Sequence, residues 1–151
     1  MDGYCTLNTD ASVGRAAGGW AVWITTDAKR IKEWGTFRQP VADSNMAEMM
    51  AIINGIHIIK RRLPKPRILV VNTDSLFCRN VINRQWVSAN PELATMARRL
   101  ILECRYFPKV YAKEIRGHMT INTPRHAVNR WCDAYARRGM RGLVDAVTKG
   151  K

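Results

Sequence analysis

The sequence lacks several features that define other classes of protein. No apolar run approaches the roughly 20 residues that cross a bilayer, and the longest near the start, residues 18–26, is too short. No basic segment followed by an apolar run opens the chain, which predicts an intracellular, cytoplasmic protein. Internal repeats and linkers are also lacking. We therefore expect one domain over residues 1–151, with a basic C-terminal tail at about 142–151.

Cysteine is present, but not in a pattern that binds zinc. Cys5, Cys78, Cys104 and Cys132 form no C-x-x-C pair, and no histidine lies at zinc-ligand spacing from them. In a reducing compartment such cysteines are most simply interpreted as small, partly buried apolar residues. We therefore predict free thiols and no zinc site.

Acidic residues are scarce relative to basic ones. The 25 Lys and Arg residues outnumber the 12 Asp and Glu residues, giving a net charge of +13 and a sequence pI near 10.3. Neutralising phosphates releases counterions, so this excess favours a nucleic-acid partner. A membrane surface is disfavoured, because no basic amphipathic helix with an aromatic apolar face is evident. A basic protein without a polyanionic partner is the weaker alternative.

The pattern of apolar residues and turn formers predicts the element order βββαβααβα. Strands are expected at residues 4–9, 20–25, 31–38, 67–72 and 110–115. Helices are expected from Ser44 until Pro64 and Pro66, at 75–84, at 91–104, and from about 123 to 138, before Gly139 and Gly142. The first three strands suggest an antiparallel meander. The apolar run at 67–72 is typical of a central strand with a parallel neighbour. Together these elements predict an α/β domain.

Four acidic residues fall where they could meet. Asp10 ends the first predicted strand and Asp74 ends the buried fourth. If these two strands are parallel neighbours, their carboxylates converge at one edge of the sheet, where ligands gather in such folds. Glu48 lies early in the first long helix, which Ser44 is expected to cap, and Asp133 lies in the last helix.

Clustered carboxylates repel one another unless a proton or a cation compensates their charge. Oxygen ligands without cysteine suit magnesium or manganese better than zinc. Two such ions can activate a water and stabilise the departing oxygen of a phosphodiester. Taken singly, each acid has an ordinary interpretation as a turn cap, a helix cap or a surface ion pair. Only their joint placement favours a metal centre.

Five short motifs occur in order on the predicted elements: TDAS at 9–12, SNMAE at 44–48, NTDS at 72–75, GH at 117–118 and NRWCD at 129–133. Each is weak alone, but their order over roughly residues 4–138 makes the sequence resemble the type 1 ribonucleases H. The resemblance implies the ribonuclease H-like fold: a mixed five-stranded sheet, three antiparallel strands followed by parallel ones, with helices on both faces.

The resemblance also implies the chemistry. By it, the metal-binding catalytic carboxylates are Asp10, Glu48, Asp74 and Asp133, which would hold two Mg²⁺ ions, for which Mn²⁺ can substitute. The implied reaction is hydrolysis of the RNA strand of an RNA–DNA hybrid, leaving 5′-phosphate and 3′-hydroxyl ends. His118 resembles the mobile-loop histidine that assists proton movement or product release. The implied substrate-binding residues are Ser12, Ser44, Asn45 and Asn129.

The sequence departs from the family pattern at several points. Ala11 replaces a glycine, Leu76 replaces a glutamine, and the loop after His118 is long enough that His126 is a possible substitute for it. A basic insertion found in some relatives is missing. Phosphate contacts would then come from the tail lysines or from the pairs Arg61-Arg62, Arg98-Arg99 and Arg137-Arg138.

Two other functions remain open at this point. One is a junction-resolvase-like nuclease of the same superfamily, and the other is a non-catalytic hybrid-binding module. A basic membrane-surface or scaffold protein is a distant third. We expect a monomer.

Overall fold

The computed structural model describes residues 3–14, 17–39, 41, 43–114 and 124–149. The strands are β1 (Tyr4–Val13), β2 (Gly18–Thr25), β3 (Arg30–Thr36), β4 (Ile68–Thr73) and β5 (Lys109–Glu114). The helices are α1 (Ser44–Arg62), α2 (Leu76–Arg84), α3 (Pro91–Cys104) and α4 (Pro124–Lys149). The predicted element order is confirmed. No helix of this described part is long and apolar enough to cross a membrane.

The strands form one mixed sheet in the order β3-β2-β1-β4-β5. β1, β2 and β3 pair antiparallel as the predicted meander, whereas β4 runs parallel to β1 and β5 runs parallel to β4. The apolar run of β4 is buried between these two neighbours, because both of its faces are covered. The mixed five-stranded sheet of the prediction is therefore confirmed.

Helices cover both faces of the sheet. α1, α2 and α3 bury one face in the main core, where Leu7, Ile56, Leu69 and Leu100 are fully buried. Each such side chain contributes about 1.5–3 kcal/mol through removal from water. α4 covers the other face of β1, β2 and β3. The cysteines are all buried and free, as predicted.

An aromatic ladder attaches α4 to the meander. Trp23 meets Trp131 edge-on at 5.5 Å, Trp131 stacks on Tyr135 at 4.5 Å, and Tyr135 meets Trp34 at 5.5 Å. The Lys32 ammonium lies 4.2 Å from the centre of the Trp23 ring. Such pairs stabilise packing beyond the area they bury, so the ladder fixes where α4 crosses the sheet.

The last helix is longer than predicted. Gly139 and Gly142 were expected to end it near Arg138, but it continues through both to Lys149. A Cβ atom on Gly139 would collide with the backbone of Gly35, and Thr36 donates a hydrogen bond to the Gly139 carbonyl. Gly139 therefore allows close approach of the helix to the sheet and does not terminate the helix.

Gly139→Ala should destabilise the protein, although alanine is normally the better helix former by about 1 kcal/mol. The added methyl group meets backbone that cannot rotate away, so we expect a loss of about 1–3 kcal/mol. Denaturant unfolding measures it. Ala134→Gly, at an exposed position of the same helix, gives the helix-propensity contribution alone. A gain in stability for Gly139→Ala would show that the close approach is wrong.

Candidate metal centre

β1 and β4 place two aspartates at the same edge of the sheet. The parallel pairing of these strands ends at Asn8 and Asn72, two residues before Asp10 and Asp74 respectively. The sequence predicts that β1 ends at Asp10. In the structure β1 continues to Val13, because β2 goes on pairing with it. Asp74 lies just beyond the end of β4. The two carboxylates therefore converge where the β1–β4 ladder stops.

Helix α1 supplies the third carboxylate. Its N-cap is Asp43, whose side chain accepts a hydrogen bond from the backbone N–H of Met46 at 2.9 Å. Ser44 was expected to be the cap, but it is the first helical residue, so Glu48 lies in the second turn and not near the first. Packing of α1 on β1 leaves Glu48 only 9 % exposed. Its position is set by burial against the sheet.

Asp10, Glu48 and Asp74 form a compact cluster, with one carboxylate oxygen from each lying within 4.8 Å of the others. Asp10 is 4 % exposed, whereas Asp74 is exposed, so the cluster opens to solvent on the Asp74 side. The backbone N–H of Ala11 donates to Asp10 Oδ1 at 2.9 Å and to Glu48 Oε1 at 3.3 Å. This shared donor orients the two buried carboxylates.

Asp133 lies outside this cluster. Its half-exposed carboxylate is 3.5 Å from the Arg137 guanidinium, one helical turn further along α4. Exposed pairs of this kind stabilise a helix only weakly. Asp133 is nevertheless near enough for its charge to raise the pKa of Asp10. The structure brings together three of the four predicted carboxylates, and the metal-binding role of Asp133 stays a prediction.

Burial and mutual repulsion disfavour ionisation of the cluster. Burial, followed by the charge of Asp74, raises the pKa of Asp10 to about 7, against the opposing effect of the Ala11 N–H. Burial, followed by the charges of Asp10 and Asp74, raises the pKa of Glu48 well above its usual range. Without a compensating cation, these carboxylates would repel one another or be partly protonated at neutral pH.

The donor set fits a hard divalent cation. Within the described part of the chain, Glu48 Oε2 is buried and has no hydrogen-bond partner, an arrangement that is costly without a ligand. All three donors are carboxylate oxygens, the ligands that Mg²⁺ and Mn²⁺ prefer. Cys78 and Cys132 are nearby, but burial, together with the acidic charges, raises the pKa of both thiols. They stay protonated and do not compete as ligands.

The cluster should make stability depend on pH when divalent cations are removed. The pKa of Asp10 and that of Glu48 are raised by folding, so their contribution is fully favourable below the unfolded values, near pH 4. This stabilising contribution is lost as pH rises through about 7, because the two carboxyl groups ionise more readily in the unfolded chain than in the folded protein. We expect the melting temperature of Asp10→Asn in chelator to exceed that of wild type increasingly between about pH 5 and 8. A constant difference would contradict the raised pKa.

Two buried asparagines join the strands that carry the aspartates. Asn72 Nδ2 donates to Asn8 Oδ1 at 2.9 Å, and Asn8 Nδ2 donates to the Trp23 carbonyl at 3.1 Å. Both side chains are less than a tenth exposed, and the chain of hydrogen bonds crosses β4, β1 and β2. We did not predict this network. Its only signal in the sequence is a pair of polar residues, each two positions before an aspartate.

Asn72→Val should weaken both the fold and divalent-cation binding. It leaves Asn8 Oδ1 buried without a donor, at a cost of about 1–3 kcal/mol. It also removes the side-chain link that holds the spacing of Asp10 and Asp74. The double variant Asn8→Val/Asn72→Val should recover part of that stability, since no buried amide is left without its partner, but not affinity for Mn²⁺. Unfolding in chelator and calorimetric titration with Mn²⁺ measure the two effects. Wild-type Mn²⁺ affinity in both variants would contradict the positioning role.

The predicted substrate-binding residues fall into two groups around the cluster. Ser12 lies on β1 beyond Asp10, and its hydroxyl donates to the Met140 sulfur at 3.5 Å. Ser44 and Asn45 open α1, the first exposed and the second half-buried. Their roles toward a substrate stay predictions.

The other predicted residues lie on or before α4. Asn129 is half-buried, one helical turn before Asp133, so the two residues share a face of the helix. His118 lies outside the described residues, and so does the side chain of His126.

The sheet order, the helices on both faces and the acidic edge define the fold as ribonuclease H-like. The RNase H family model matches residues 2–141, and the chain therefore belongs to the RNase H family. No curated protein matches the chain in sequence.

Solved structures share this fold at low sequence identity. The N-terminal RNase H domain of Rv2228c from Mycobacterium tuberculosis superposes with a TM-score of 0.75 at 14% identity, covering 95% of this chain and 98% of that one. RNase H1 from Halobacterium salinarum NRC-1 superposes with a TM-score of 0.69 at 18% identity, covering 95% of this chain and 100% of that one. LC11-RNase H1, solved in complex with an RNA/DNA hybrid, superposes with a TM-score of 0.73 at 15% identity, covering 93% of this chain and 99% of that one. At these identities the likenesses show the fold alone.

Proposed function

We propose that this protein is a metal-dependent ribonuclease H that hydrolyses the RNA strand of RNA–DNA hybrids. The observation that carries the proposal is the compact cluster of Asp10, Glu48 and Asp74 in a member of the RNase H family. A structural neighbour, LC11-RNase H1, is bound to an RNA/DNA hybrid, and the net charge of +13 suits such a polyanion.

The chain's residues have distinct tasks in this proposal. Asp10, Glu48 and Asp74 would hold two divalent cations, with Asp133 joining them from α4. When bound, the cations would lower the pKa of a water and stabilise the charge developing on the phosphodiester. The Ala11 N–H orients the buried carboxylates, and substrate would approach from the side of exposed Asp74. His118 would assist proton movement or product release, and the products would carry 5′-phosphate and 3′-hydroxyl ends.

Selection of RNA would depend on the start of α1. Proteins distinguish RNA from DNA through the 2′-hydroxyl, which is accessible in the wide minor groove. Asn45 lies three residues before Glu48, so its amide is available near the cluster. Leu76, two residues after Asp74, is 51 % exposed and offers no amide. Discrimination should therefore depend mainly on Asn45.

A panel of substrates tests the proposal. The protein is incubated with labelled hybrid, double-stranded RNA, double-stranded DNA, single-stranded RNA and a four-way junction, with Mg²⁺ or with chelator. The proposal predicts cleavage of the hybrid alone, and only with Mg²⁺. Preferred cleavage of the junction would instead assign a resolvase-like nuclease. Hybrid binding without any cleavage would assign a binding module.

We also propose a cytoplasmic monomer. The buried, reduced cysteines suit a reducing compartment. Light scattering of the purified protein tests the oligomeric state, and a dimer at micromolar concentration would contradict it.

A further inference from the structure

An exposed tyrosine stands among basic residues at the end of the sheet opposite the carboxylates. Tyr4 is the first residue of β1 and is 46 % exposed. Around it lie Lys29, Lys65, Arg67 and Lys109, all four of them exposed. We call these five residues the Tyr4 surface. Tyr4 and Asp10 are six positions apart on β1, a distance of about 20 Å along an extended strand.

Two grooves meet at Tyr4 and Arg67. The larger has a volume of about 660 Å³, with Lys29 and Lys65 on its wall, and the smaller has about 430 Å³, with Lys109 on its wall. Among the described lining residues of both grooves, Asp27 is the one acid. The grooves are therefore cationic, and an aromatic side chain lies between them.

Two further tyrosine rings contact lysines of the grooves. Lys65 lies 4.6 Å from the centre of the Tyr106 ring. Lys109 and Lys113 both lie 5.9 Å from the centre of the Tyr111 ring. These contacts hold Lys65 and Lys109 at the groove walls, because a cation near a ring face is attracted to it.

We propose that the Tyr4 surface is a second nucleic-acid site, which binds a single-stranded segment. Cationic grooves that follow the backbone, with an aromatic ring on which a base stacks, form the pattern that binds single strands without sequence preference. An anionic lipid surface would satisfy the cations but would leave the two grooves without a role. The site does not depend on the proposed cleavage activity, since none of its residues belongs to the carboxylate cluster.

The test measures binding, using the full chain with Asp74→Asn to prevent cleavage. Anisotropy of a fluorescent oligothymidylate of about ten nucleotides is recorded with and without saturating unlabelled blunt hybrid. We expect the single strand to bind in the presence of hybrid. Tyr4→Ala should weaken this binding by roughly tenfold or more, whereas Tyr4→Phe, which keeps the ring, should not. Arg67→Ala should weaken it, and Arg38→Ala, which changes an exposed arginine just beyond the end of β3, should not.

Three results would overturn the proposal: complete displacement of the single strand by blunt hybrid, equal affinities for the parent and Tyr4→Ala, or tighter Tyr4-dependent binding to phosphatidylglycerol vesicles. If Tyr4→Ala does not fold, as judged by thermal melting, the affinity of Lys65→Ala/Arg67→Ala for the single strand is compared with that of the parent instead. Equal affinities would again overturn the proposal. Failure of the wild-type protein to cleave hybrid would leave this binding readout intact, so the two proposals fail separately.

Discussion

Asp74→Asn should abolish hybrid cleavage while the protein stays folded. Loss of one ligand removes several kcal/mol of transition-state charge stabilisation, which corresponds to a fall in kcat of about three orders of magnitude or more. Asp10→Asn should behave in the same way, because its carboxylate belongs to the same cluster. Single-turnover cleavage of a labelled hybrid with Mg²⁺ measures the effect.

Asp27→Asn is the matched control, since Asp27 is exposed and lies in the groove at the opposite end of the sheet. It should cleave hybrid at the wild-type rate. In chelator, Asp74→Asn should melt at a higher temperature than wild type, because Asp10 and Glu48 lose a neighbouring like charge. Near wild-type turnover of Asp74→Asn would show that the carboxylate cluster is not the catalytic centre.

Hybrid affinity should fall steeply with salt. With a net charge of +13, several phosphate contacts are expected, and between about 50 and 200 mM salt these would lower affinity by about 10³-fold or more. Binding of catalytically inactive Asp74→Asn to a labelled hybrid measures the slope. A slope near zero would contradict binding through phosphates.

Paired substitutions show which arginine side chains contribute to that slope. Arg61→Ala/Arg62→Ala and Arg98→Ala/Arg99→Ala remove the same charge from α1 and α3 respectively. The pair that contacts phosphate should flatten the slope by about two units, with kcat at saturating hybrid unchanged. Loss of kcat in either variant would indicate a role other than phosphate binding.

The sequence was sufficient to predict the elements and the acidic edge, because both follow from local patterns. The apolar run before Asp74 predicts a central parallel strand, and the strand before Asp10 predicts its neighbour. Convergence of the two carboxylates follows from that pairing alone. The position of Asp133 relative to the other carboxylates does not follow from strand pairing, because it depends on how α4 crosses the sheet.

The errors arose where one residue type serves two purposes. Asp43 and Ser44 are equally good N-caps, and only the structure shows that Asp43 caps α1. Glycine can end a helix or permit close packing, and Gly139 does the second. The Asn8–Asn72 contact needs the register of two strands 64 residues apart in sequence, which no local pattern contains.

The most direct test of the central proposal is cleavage of a hybrid labelled separately on its RNA and DNA strands, with Mg²⁺ and with chelator. We predict that the RNA strand alone is cut, that the products carry 5′-phosphates, and that chelator stops the reaction. Cleavage of the DNA strand as fast as the RNA strand, or undiminished cleavage in chelator, would contradict the assignment as a metal-dependent ribonuclease H.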